Sequence, residues 1–134
     1  MIPKKTNSNK SPRVRVIQKL YSNLINPDDK IIYTKSQFKK FIKDVTEGTI
    51  ERKDLIEETI IKHLKNDIDL DKTDKILKII IFAAIFELLF KHNNPKKVII
   101  SEYLKTSEFF LEKTKIGYLN AILDKIGNIL RKDQ

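Results

Sequence analysis

The side chains that could do chemistry in this chain are few and scattered. His63 and His92 are the only imidazoles; they lie far apart and form no metal-ligand motif, so no metal site is expected. The three glycines, Gly48, Gly117 and Gly127, are too dispersed to build a phosphate-cradling loop. With no cysteine, disulfides, zinc-thiolate centres and thiol nucleophiles are excluded. The serines and threonines have neither an elbow motif nor a histidine partner. Two polar residues do interrupt apolar surroundings: Glu87 within Ile76–Phe90 and Asn120 between Leu119 and Ile122. A carboxylate stranded in a core costs several kcal/mol, so Glu87 needs a cationic or hydrogen-bonding partner. With no second titratable group accompanying either residue, both read as structural pins between helices rather than as catalytic groups. No catalytic residue and no cofactor are expected.

The charge distribution is more informative. The chain carries a net charge of +9, and Lys4, Lys5, Lys10, Arg13, Arg15 and Lys19 all precede Asp28, the first carboxylate. Such a basic stretch suits a polyanion, because each phosphate it neutralises releases condensed counterions. On charge alone a solubilising tail is equally compatible.

These residues must be held by something, and the pattern is helical throughout. The 134 residues suffice for one self-burying domain. Residues 1–10 are polar and unpatterned, which predicts a flexible basic arm preceding a single domain over 11–134. Ser11-Pro12 reads as a cap followed by proline at the first helical position, and Val14, Ile17, Leu20 and Leu24 follow at helical spacing. A second helix is predicted over 34–47, with Phe38, Phe41, Ile42 and Val45 inward and Gly48 as its stop. A third runs to about Lys65, burying Leu55, Ile56, Ile60 and Leu64. The fourth, from about Asp71 or Thr73 to His92, is apolar on nearly every face and must be surrounded. Asn94-Pro95 opens a fifth that carries Tyr103, Phe110 and Leu111. A sixth spans about 114–131, with Leu119, Ile122, Leu123, Ile126 and Leu130 inward. The fold class is all-α. The longest apolar run is too short for the ~20 residues of a membrane span, and no apolar run follows the N-terminal charges as in a secretory signal; a cytoplasmic protein is expected.

The C-terminal half, "IFAAIFELLFKHNNPKKVIISEYLKTSEFF" followed by "YLNAILDKI", resembles the signature region of the NusB family. The matching elements are Phe86-Glu87-Leu88, Pro95 through Glu102, and Tyr118 through Lys125; "RVRVIQKLYS" is similar to the family's arginine-rich opening. The chain departs from the family at Phe82, where an arginine is usual, and at Ser101 and Ala121. The first of these leaves the partner of Glu87 unassigned.

The resemblance implies two packed three-helix bundles around a hydrophobic central helix and a bacterial transcription antitermination factor. It implies binding of the single-stranded boxA element of ribosomal RNA transcripts. It also implies pairing with the ribosomal protein NusE in an antitermination complex on RNA polymerase, with a homodimer open for the free protein. The RNA candidates become Lys10, Arg13, Arg15, Lys19 and Tyr21, with Lys113, Lys115 and Tyr118 as a second group. Arg13 and Arg15 project from opposite sides of their helix, and Arg13 is expected to lead. Tyr21 and Tyr118 serve equally well as base-stacking platforms or as core tyrosines. Asp67 to Lys78 is the stretch assigned to NusE. Two alternatives remain: a relative of the NusB-like domain that precedes RNA cytosine methyltransferases, and a purely protein-binding helical module. The former needs a following cofactor-binding domain with a glycine-rich loop, and the sequence to Gln134 contains no such loop.

Overall fold

A computed structural model describes residues 11–132, which form six α-helices and, among the described residues, no strand. They are α1 (Pro12–Ile25), α2 (Lys39–Glu51), α3 (Lys53–Leu64), α4 (Lys75–Phe90), α5 (Lys96–Ser107) and α6 (Lys113–Leu130). Lys10 and the predicted arm lie outside the described residues.

α1 begins as its sequence dictates: Ser11 Oγ accepts from the Val14 amide at 3.4 Å, with Pro12 at the first helical position. α4 is capped by Asp74, whose carboxylate accepts from Leu77 N at 3.1 Å. From Ile76 to Leu88 every α4 residue except Lys78 is buried, and α4 touches each of the other five helices. Those five form a closed ring around it, with neighbours in the order α1, α2, α3, α6, α5 and back to α1. α4, α5 and α6 touch one another pairwise. α1 and α3 each touch α2 but not each other, so the first three helices form an arc that α4 closes.

Several local expectations differ from the structure. α2 starts at Lys39 rather than Thr34, because residues 31–38 form an irregular segment in which Ser36 Oγ accepts from Phe38 N at 3.3 Å. Gly48 does not stop α2. It lies within the helix, where a Cβ would stand 2.2 Å from Phe86 Cζ, so its function is close helix approach to α4 rather than termination. Phe38 and Leu55 are each 40% exposed instead of inward, and Phe110 and Leu111 follow the end of α5, half-buried.

Candidate nucleic-acid interface

The buried carboxylate of Glu87 finds its partner on the first helix. Arg13 Nε and Nη2 donate to Glu87 Oε2 and Oε1 at 2.8 and 2.7 Å, a bidentate pair in which Glu87 is fully buried. Tyr103 Oη, also fully buried, donates to the same carboxylate, and Asn94 Nδ2 reaches Oε1 at 3.3 Å. Arg13 is sandwiched as well, its Cζ 4.8 Å from the Phe41 ring centroid and 5.4 Å from that of Tyr103. Burial opposes its charge, but the hydrogen bonds and charge of Glu87 outweigh burial and hold the guanidinium above its ordinary value. Burial above all, then the Glu87 charge, pushes the Tyr103 hydroxyl well up.

On the other side of Glu87, Arg131 caps the C-terminal end of α4. It donates to the carbonyls of Leu88, Asn94, Glu87 and Lys91 at 2.9, 2.7, 3.1 and 3.0 Å. A guanidinium there satisfies acceptors that a helix end leaves open and complements its dipole. Sequence reasoning missed Arg131, Asn94 and Tyr103 as members of this cluster. The available signal was that Arg131 falls four residues after the buried Gly127, continuing the inward stripe of α6.

This geometry revises the role expected of Arg13. Its guanidinium is inside the protein, committed to Glu87, and does not face solvent as a leading phosphate ligand would. Asn120 also differs from expectation. It is exposed on α6 and pins no junction.

The remaining cations of α1 are on the outside. Arg15 is half-buried, and its guanidinium makes no hydrogen bond or ion pair among the described residues. Lys19 Nζ donates to Ile32 O at 2.6 Å and stands 5.2 Å from the Tyr33 ring centroid, strapping the 31–33 segment to the helix. Burial and then the charge of Arg15 lower its pKa. Tyr21 is half-buried against the core.

The second group sits on α6, which does not touch α1, so the two sets of candidates occupy separate faces. Lys113 is exposed. Lys115 Nζ lies 3.6 Å from Asp74 Oδ1, and Tyr118 Oη donates to Asp67 O at 2.5 Å. Lys125 pairs with Asp67 at 2.7 Å. The acidic connection 66–74 is therefore docked on α6. Among the described residues no group of three or more His, Asp or Glu is placed to hold a metal ion, and no helix is long and apolar enough to cross a membrane.

Comparison with known proteins places this geometry in context. The model of the NusB family matches residues 5–128. The transcription antitermination protein NusB of Rickettsia bellii (strain OSU 85-389) is 31% identical over 152 aligned positions, covering 96% of this chain and 95% of that protein. The corresponding protein of Rickettsia felis is 30% identical, covering 95% and 96% respectively. Among solved structures, NusB of T. maritima superposes with a TM-score of 0.74 at 21% identity, covering 87% of this chain and 89% of that one.

Proposed function

This chain belongs to the NusB family of transcription antitermination proteins, and from that premise we propose that it is a non-enzymatic factor that binds single-stranded, boxA-like RNA. Its partners in this reading are the ribosomal protein NusE and, through the antitermination complex, RNA polymerase. The observation that carries the reading is the outer face of α1: Arg15, uncommitted and next to Lys19, in a stretch with six cations before the first carboxylate. Lysine and arginine hold phosphates without reading sequence, which suits a flexible single strand.

In this reading Arg13 acts indirectly. By tying α1 to α4 it sets the orientation from which Arg15 and Lys19 project, and Lys10 extends the same basic stretch. Lys113, Lys115 and Tyr118 supply a secondary contact, for which Lys115 exchanges Asp74 for a phosphate. The acidic connection, with Asp69 and Asp71 exposed, faces the NusE partner.

The test is affinity for a boxA-like oligoribonucleotide at two salt concentrations, with and without NusE. Affinity should fall as salt rises, with a log-log slope of roughly −0.7 per phosphate contacted, and should rise when NusE is added. Absence of RNA affinity in both states, with partners still captured after ribonuclease treatment, would favour a purely protein-binding module instead.

A further inference from the structure

Between the outer face of α1 and the segment 26–34 lies an open cleft of about 600 Å³. It continues into a second hollow of about 750 Å³, and the two share Asn23 and residues 29–32. Arg15, Lys19 and Lys30 line the first cleft together with the amides of Gln18, Asn23 and Asn26 and the carboxylate of Asp29. Lys19 is fixed by its bond to Ile32 O. The side chains of Arg15, Lys30 and all three amides make no hydrogen bond among the described residues.

That combination is more than a phosphate requires. A phosphate asks for donors, which Arg15 and Lys30 provide; amide side chains offer a donor and an acceptor together, and Asp29 adds a further acceptor. A ligand that uses all of them must carry an anion beside an edge of mixed donors and acceptors. An unstacked nucleotide has that composition.

We propose that this cleft receives one splayed-out nucleotide of the bound RNA strand, its phosphate on Arg15 and Lys30 and its base edge among Gln18, Asn23 and Asn26. No aromatic ring lines this cleft, so the base is held by its edge rather than by stacking. The inference rests on the RNA-binding reading and adds to it a site where sequence is read.

The experiment is a titration of the ¹⁵N-labelled full chain with cytidine monophosphate, with inorganic phosphate and with a boxA-like oligoribonucleotide, at matched ionic strength. The nucleotide and the RNA should both shift the amides of Ser22, Asn23, Asn26 and Lys30, with the RNA at least about tenfold tighter because it adds phosphate contacts. N23A/N26A should weaken both by about fivefold, the effect of losing one or two hydrogen bonds, without changing the melting temperature. RNA binding that leaves the cleft amides unmoved overturns the cleft and spares the wider reading. Phosphate alone matching the nucleotide reduces it to an anion site and overturns the inference. A mononucleotide as tight as the RNA would mark a free-nucleotide pocket and overturn it too. No RNA binding by any assay, with NusE supplied, removes the reading beneath it.

Discussion

Arg13 Nη2 and Glu87 Oε1 stand 2.7 Å apart across 74 residues of chain, joining the first turn of α1 to the last turn of the helix that all others surround. A cation in a helix's first turn opposes the dipole by a few tenths of a kcal/mol to about 1. The buried carboxylate accounts for its presence there. Arg13 in turn supplies the partner for Glu87 that Phe82 cannot.

Removing either member should be severe, because the other is left charged and buried. R13M and E87Q are each expected to destabilise by about 3–5 kcal/mol, and the double variant by clearly less than their sum. Chemical denaturation of the four proteins measures this. Additive losses would mean that the two groups are stabilised separately.

Tyr103 makes stability fall at alkaline pH. Its folded pKa is raised by burial and by Glu87, so the folded protein holds the phenolic proton more tightly than the unfolded chain. That contribution is complete below the unfolded value near 10 and is lost as pH rises toward the folded value. Y103F should lower stability by about 1.5–3 kcal/mol at neutral pH, having lost a hydrogen bond to a charged acceptor. It should also show a shallower decline above about pH 10. Melting temperatures of both proteins across pH 8 to 11 check both statements.

Gly48 tests the packing of α2 on α4. Alanine would gain about 1 kcal/mol of helix propensity, yet its methyl would overlap the Phe86 ring. Displacing a ring that already packs on Phe90 at 5.2 Å should outweigh that gain. G48A is expected to be net destabilising by about 1–2 kcal/mol, read from a thermal melt; a stabilised variant would show that Phe86 swings aside freely.

Much of this architecture was legible in the sequence, for physical reasons. Ser11-Pro12 and the apolar run of α4, interrupted at Lys78 and Glu87, each carry a local signal, a cap and an almost all-round hydrophobic surface, so α1 and the surrounded helix could be read directly. The start of α2 could not, since the apolar residues of 31–38 suit a packed irregular segment as well as a helix. Gly48 misled because a glycine at a helix stop and a glycine at a close crossing look the same without the partner helix. The same limit applies to the candidate site. Cation types and spacing pointed to α1 as a candidate, but burial of Arg13 depends on Glu87, Tyr103 and Phe41, which the fold brings from distant positions. Asn120 resembled a core residue because two inward residues flank it, whereas the 3.6-residue turn carries it outward.

The most direct test concerns which face of α1 meets RNA. Salt-dependent affinity for a boxA-like oligoribonucleotide, with NusE present, should be measured for R15A alongside the unchanged protein. The account predicts an unaltered melting temperature, weaker binding, and a log-log slope shallower by about 0.7, the share of the single phosphate that Arg15 neutralises. An R15A slope indistinguishable from that of the parent would contradict it.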